Sequence, residues 1–164
     1  MSVFLGSHQN KLDNKKRVSI PAGFRTALRA ADADAHPDPG TPFLVLRQSP
    51  KHPCIECWPP AAFQALGPSV DGLDLFSDDQ EDLALSLYAD AWPVDADKEG
   101  RVMLPEPLVA HAALADSVCF LGLGRHFQIW EPVAAERRRD EARARARAVS
   151  LPSRPAAASR IAGA

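Results

Sequence analysis

Two stretches decide the fold: Asp13-Asn-Lys-Lys-Arg17-Val-Ser-Ile20-Pro21-Ala-Gly-Phe24 and Asp97-Lys-Glu-Gly-Arg101-Val-Met-Leu104-Pro105-Glu-Pro-Leu108. Laid over each other they share one pattern: Asp, three residues, Arg, Val, any residue, an aliphatic, Pro, two residues, then a large apolar side chain. The likeness continues. Phe43-Leu-Val-Leu46 answers Val118-Cys-Phe-Leu121, and Ile55-Glu-Cys57-Trp58-Pro59 answers Phe127-Gln-Ile129-Trp130-Glu131. Ordered landmarks that include two tryptophans mark an internal repeat and not a chance match. The main length difference is a Pro-, Asp- and Gly-rich insertion around residues 33–41, which reads as a loop.

Each copy reads alike. A polar turn with Asp and Arg leads into a short strand, residues 17–20 or 101–104. Proline follows, whose fixed φ and missing N–H suit the first position of a helix and disfavour a strand interior. Phe24 with Leu28, and more weakly Leu108 with Ala112, give the i, i+4 apolar pair of a helix face. Two further strands come next, residues 43–47 and 54–58 in the first copy and 118–122 and 127–130 in the second. Gly122-Leu-Gly124-Arg-His126 supplies a short hairpin link. A helix over residues 78–89 joins the copies, with Leu83, Leu87 and Tyr88 on one side. Neither copy has enough large apolar residues for a core of its own, and each leaves strand edges unpaired. Interleaving the strands of both copies into one small barrel with pseudo-two-fold symmetry answers both problems. The expected organisation is a first repeat at 7–62, a helical linker at 63–90, a second repeat at 91–134, and a basic helix with a disordered tail at 135–164.

Bulk properties leave the partner open. The 164 residues carry a net charge of −2, but the charge is unevenly spread. Residues 11–29 hold Lys11, Lys15, Lys16, Arg17, Arg25 and Arg29 against Asp13 alone, whereas residues 71–99 hold ten acidic residues against Lys98 alone. A local field follows the distribution and not the sum. No apolar run approaches the ~20 residues that span a bilayer, and no secretory leader is visible, so a cytoplasmic protein with no membrane partner is expected.

The three cysteines give no disulfide framework. Cys54 and Cys57 form a C-x-x-C with His52 nearby, but a second ligand pair is missing, and an odd spacing on a strand points the two thiols to opposite faces. Buried or half-buried thiols are expected, with no metal and no cofactor. Trp58 and Trp130 are expected to pack. Residues 136–147 are rich in Ala, Arg and Glu and so favour a helix, basic all round and solvated. Residues 150–164, rich in Pro, Ala and Ser, read as disordered.

The sequence resembles the MraZ family. Residues 12–25 and 95–105 look like its paired Asp-x-x-x-Arg motifs, and Gly122-Leu-Gly-Arg-His-Phe-Gln-Ile-Trp130 is similar to its final hairpin. The likeness covers residues 4–133. It implies an α+β fold, the AbrB-type double swapped-hairpin β-barrel with peripheral helices, both copies in one chain. It also implies a nucleoid-associated regulator, mainly a repressor. Such a regulator binds short direct repeats in double-stranded DNA upstream of a cell-division and cell-wall operon, and it assembles into a ring-like homo-oligomer. Arg17 and Arg101 fall on the motif arginines, with Asp13 and Asp97 as their partners. The chain departs from the family in carrying Lys16 where Gly usually precedes the first Arg, and Leu5 and Val109 where basic residues are common.

Duplex DNA asks for cations at phosphates and a few forked donors at base edges. The expected binding residues are Lys11, Lys15, Lys16, Arg17 and Arg101, with Asp13, Asp97, Pro21 and Pro105 shaping the loops. Lys15 and Lys16 suit phosphates; Arg17 either reads a base or braces its loop. The first copy reads as the binding copy and the second as the structural one. No nucleophile motif, phosphate-cradling Gly loop or H-E-x-x-H is present, so no enzyme is expected. The alternative is a swapped-hairpin interaction or antitoxin-like module.

Overall fold

The computed structural model describes residues 3–35 and 43–151, a mixed α+β chain with an antiparallel sheet and several helices. Most of the predicted insertion loop and nearly all of the predicted disordered tail lie outside the described residues. In chain order the strands are β1 (Ser7–Lys11), β2 (Arg17–Ser19), β3 (Leu44–Gln48), β4 (Ile55–Trp58), β5 (Ala91–Val94), β6 (Arg101–Met103), β7 (Ser117–Gly122) and β8 (Phe127–Trp130). The helices are α1 (Ala22–Ala35), α2 (Pro60–Gln64), α3 (Gly67–Asp71), α4 (Asp78–Ala84), α5 (Glu106–His111) and α6 (Pro132–Ala146). No helix among the described residues is long and apolar enough to cross a membrane.

Six strands form one sheet in the order β1-β7-β8-β4-β3-β5, and β2 with β6 forms a separate ribbon. The ladders cross between the two halves of the chain. β1 pairs with β7, β5 with β3, β4 with β8 and β2 with β6, all antiparallel. The order is symmetric about the β4–β8 pair. The sheet is not a closed barrel, because no ladder among the described residues joins its ends, β1 and β5. The three-residue strands of the ribbon make no continuous ladder with their own halves among the described residues, only the isolated bridges Leu12 to Val18 and Ala96 to Val102, so the ribbon forms a sheet of its own.

Side-chain alternation along the strands then places the core. Leu44 and Leu46 on β3, with Val118 and Phe120 on β7, belong to one buried cluster with Val18, Val102, Phe24, Leu28 and Leu108. The aromatic centre of that cluster is Phe24, which lies 4.8 Å from Phe127 and 5.4 Å from Phe4, ring centre to ring centre. Burying a side chain of that size is worth about 1.5–3 kcal/mol. The intervening residues face the other way into two satellite clusters. Val45 packs with Phe63, Val70 and Leu87, and Cys119 and Leu121 pack with Cys54, Trp130 and Ala135 of α6.

Besides the barrel, and the strands β1 and β5 that the sequence reading did not place, four expectations require correction. The strand ladders place Leu44 level with Val94 and Asn10 level with Val118, so Val118 matches Leu44 and not Phe43. A one-residue slip reverses every face of a strand, and only this register puts Val118 and Leu44 both inward. Next, α6 is not solvated all round. Ala135 is buried, and Arg138, Arg139 and Ala142, spaced at helical intervals, are half-buried. Alanine and arginine stems cover apolar surface well enough to make a face that hydropathy alone conceals. Third, the helix at 78–89 is interrupted. α4 gives way to a π-type turn at Leu85–Ala89, and only Leu87 of the expected stripe is buried. The wider turn changes the angle between Leu83, in α4, and Leu87 and Tyr88, within the turn, so the three no longer share one face, and Arg47 Nη2 donates to the Ser86 carbonyl there at 3.2 Å. Finally, Pro105 precedes its helix as an extended N-cap residue (φ −58°, ψ 139°), and Pro21 likewise stands just before α1.

Candidate nucleic-acid interface

The two Asp-to-Arg stretches fold into the same turn, bond for bond. In the first, the Asp13 carbonyl accepts from Lys16 N–H at 3.0 Å, and Asp13 N–H donates to the Arg17 carbonyl at 3.0 Å. In the second, Gly100 and Arg101 repeat those bonds to Asp97 at 3.0 and 2.9 Å. One carboxylate oxygen of Asp13 accepts from the backbone N–H of Lys15 (2.9 Å) and Arg17 (2.8 Å), and the other accepts from Arg17 Nε at 2.8 Å. Asp97 does the same for Glu99 (3.0 Å), Arg101 (2.9 Å) and Arg101 Nε (2.8 Å). Aspartate is the side chain that can reach two residues ahead and satisfy its own turn, which is why the motif begins with it. The backbone N–H of the matching arginine is the largest cause holding each carboxyl below its ordinary value, with the bond from that arginine's side chain adding to it.

The ribbon joins the turns. Arg17 lies opposite Met103, and Ser19 opposite Arg101. Val18 and Val102 point into the core, so Arg17 and Arg101 project from the same outer face. The turns also exchange bonds across the halves: Leu104 N–H donates to the Lys16 carbonyl at 2.8 Å, and Ile20 N–H to the Gly100 carbonyl at 3.1 Å. Four residues of strand separate the Lys16 level from the Gly100 level, about 13 Å at strand spacing. Asn10 braces the ribbon from β1 by donating from Nδ2 to the Ser19 carbonyl at 2.7 Å.

The two turns differ in charge. Asp13 uses only Nε of Arg17, so both terminal nitrogens of that guanidinium are without a partner among the described residues, and the side chain is 30% exposed. Lys15 is exposed beside it and Lys16 is half-buried, while Lys11 is exposed at the end of β1. Arg101 is held more tightly, because its Nη2 also pairs with Glu99 at 3.3 Å. The structure thus brings Lys15, Lys16, Arg17 and Arg101 to the two turns of one ribbon, with Lys11 on the strand that enters the first turn. Pro21 and Pro105 end the ribbon strands.

Sequence reasoning missed Arg25. Its stem crosses from α1 to the second turn, and Nη1 comes within 3.5 Å of the Glu99 carbonyl. The visible clue was an exchange of sizes between the copies: Arg25 and Gly100 in one pairing answer Val109 and Lys16 in the other.

The expected C-x-x-C thiols are both buried, on opposite faces. Cys57 lies in the main core and Cys54 in the α6 cluster. Burial pushes the Cys54 thiol up to about 12 and that of Cys57 well above its ordinary value. Trp58 and Trp130 pack at matching positions. Each donates from Nε1 to the side chain two residues earlier, Glu56 at 3.2 Å and Gln128 at 2.8 Å.

Fold and site together define a two-copy α+β chain that carries paired Asp–Arg turns on a shared ribbon. Against known proteins, the family model described as "MraZ protein, putative antitoxin-like" matches residues 87–148. The chain is 63% identical to the "Transcriptional regulator MraZ" of Gluconacetobacter diazotrophicus over 93% of its own length and 94% of that protein. It is 57% identical to the protein of the same name from Gluconobacter oxydans, over 96% and 93%. The corresponding protein of Rickettsia canadensis is 32% identical over 80% and 83%. The chain belongs to the MraZ family of transcriptional regulators.

Proposed function

We propose that this protein is a sequence-specific DNA-binding transcriptional regulator, mainly a repressor, whose first Asp–Arg turn meets the duplex. The observation that carries the reading is that, of the three guanidinium nitrogens of Arg17, Asp13 engages Nε alone. The turn is braced, yet the terminal nitrogens of the guanidinium have no partner among the described residues and the side chain is partly exposed. A held arginine fork suits a guanine edge, while the mobile Lys11, Lys15 and Lys16 suit phosphates. Arg101, tied to both Asp97 and Glu99, contributes less. The exchange of strands between halves supports an AbrB-type swapped-hairpin reading of the fold. The family resemblance adds direct repeats upstream of a cell-division and cell-wall operon as the target, in the cytoplasm at the nucleoid. It also adds a ring-like homo-oligomer. A ring would present several turns to repeated sites and so raise affinity through effective concentration.

A gel shift on the chain's own operon promoter, run as a salt titration, tests the proposal. Binding weakens steeply with salt, each phosphate contact adding roughly 0.9 to the log–log slope. Arg17→Ala removes specific binding and leaves the fold intact. Lys16→Ala weakens all sequences about equally and flattens the slope. Specific binding unchanged in Arg17→Ala would take that residue out of the site.

A further inference from the structure

We infer that Arg25 is a further phosphate-contacting residue, and that it serves the second turn, across the halves, and not its own. The inference rests on the DNA-binding reading above. By its own sequence the second turn is poorly suited to phosphate. In the sequence Asp95, Asp97 and Glu99 flank Arg101, and Glu99 occupies one of its terminal nitrogens. Arg25 changes that balance. It leaves α1 one residue after buried Phe24 and lies directly on the backbone of Gly100. A Cβ placed on Gly100 would stand 2.6 Å from Arg25 Nη1 and 2.7 Å from its Cδ. Glycine at this position leaves room for the Arg25 side chain as it is seated, and it adopts the φ of +75° without the strain a side chain would bring.

The repeat shows that the arrangement is reciprocal. At the twin of Gly100 stands Lys16, whose side chain would collide with an arginine seated in this way, and at the twin of Arg25 stands the short Val109. Each turn thus carries one cation at this position, provided by the turn itself in the first and by the other half's helix in the second. The charge of Arg25 is also unspent. Among the described residues it forms no ion pair, and its one side-chain hydrogen bond, from Nη1 to the Glu99 carbonyl, is long at 3.5 Å; only Nε, buried and without a partner, is out of a ligand's reach. A guanidinium held in place but short of acceptors is ready for an anionic oxygen.

The test compares full-length wild type with Arg25→Gln, Arg25→Lys and Arg17→Ala by fluorescence anisotropy on a labelled promoter duplex over a range of salt. Arg25→Gln keeps the stem as far as Cδ on Gly100 and removes the charge together with the guanidinium, and circular dichroism melts check that each variant is folded. The expected result is a loss of roughly tenfold at low salt, with the log–log slope reduced by about 0.9; Arg25→Lys restores the slope. An unchanged slope in Arg25→Gln, with or without lost affinity, overturns the inference, since a residue that merely braced the turn would weaken binding equally at all salt. If Arg17→Ala abolishes specific binding while Arg25→Gln behaves as wild type, only the Arg25 assignment fails. Wild type that shows no salt-dependent binding overturns this inference together with the reading beneath it.

Discussion

Lys16 and Gly100 occupy the same place in the two turns, at φ 62° and 75°. A lysine thus holds a left-handed backbone position that its twin gives to glycine. For an L-residue with a Cβ that conformation costs about 1–2 kcal/mol. Lys16→Gly relieves the strain but enlarges the freedom of the unfolded chain, which returns roughly half of the gain. The expected outcome is a protein more stable by about 0.5–1 kcal/mol in chemical denaturation, with weaker DNA binding and a flatter salt dependence. A variant both less stable and equally tight would show that the lysine is there for the fold.

Glu99 is the second turn's answer to Lys15, and its carboxylate ties up Arg101 at 3.3 Å. In Glu99→Gln one negative charge leaves the ribbon face and Arg101 Nη2 is freed. DNA affinity at low salt should rise several-fold, with a larger gain at low ionic strength than at high, because the removed repulsion is screened. The bonds from Asp97 to the Glu99 and Arg101 backbone do not involve the Glu99 side chain, so the turn keeps its shape. An affinity equal to wild type at low salt would place the second turn away from the duplex.

How much of this was legible beforehand follows from what each feature depends on. The paired turns were readable because their chemistry is local: Asp13 satisfies the backbone of Lys15 and Arg17, two and four residues on. Six of the eight strands were readable from their apolar runs, but β1 and β5, polar or interrupted by proline, were not, and neither was the alignment of the repeats. Phe43 and Leu44 are both large and apolar, so the sequence offers either register, and only pairing with β5 selects Leu44 as the match of Val118. The face of α6 was hidden because it is built from alanines and arginine stems. Arg25 was hidden because its partner is 75 residues away, on a turn whose glycine looks like any other turn glycine.

Acid should loosen the turns before the core. The backbone N–H of Arg17 and of Arg101 chiefly holds Asp13 and Asp97 below the ordinary carboxylate value of 3.8. A depressed folded value means the carboxylates add stability above 3.8, and that this contribution disappears as pH falls through the folded values. The double variant Asp13→Asn, Asp97→Asn lacks both titrations. Its denaturation midpoint should therefore be lower than wild type at neutral pH, and the gap should close on acidification below pH 3.8. Parallel curves for the two proteins between neutrality and strong acid would show that the carboxylate charge contributes nothing to the turns.

The N-terminal segment is secured by an absence of atoms at Gly122. A Cβ there would lie 2.5 Å from the Phe4 carbonyl oxygen and 2.9 Å from the Leu5 nitrogen, both backbone and unable to swing aside. Phe4 exchanges bonds with Gly124 at 2.8 and 3.0 Å, and this bridge holds its ring, fully buried, 5.1 Å from that of Phe127. Gly122→Ala therefore acts by unseating Phe4. It should destabilise by on the order of 1–3 kcal/mol, and Phe4→Ala by about 3–5 kcal/mol. Since both changes disturb one seat, their effects should not add. Once Phe4 is alanine there is no ring left to displace and only the backbone clash remains, so the double variant should lose clearly less than the sum of the two single changes. Denaturant melts of the four proteins measure the coupling directly. Full additivity would mean that Gly122→Ala harms the hairpin itself and leaves Phe4 in its place.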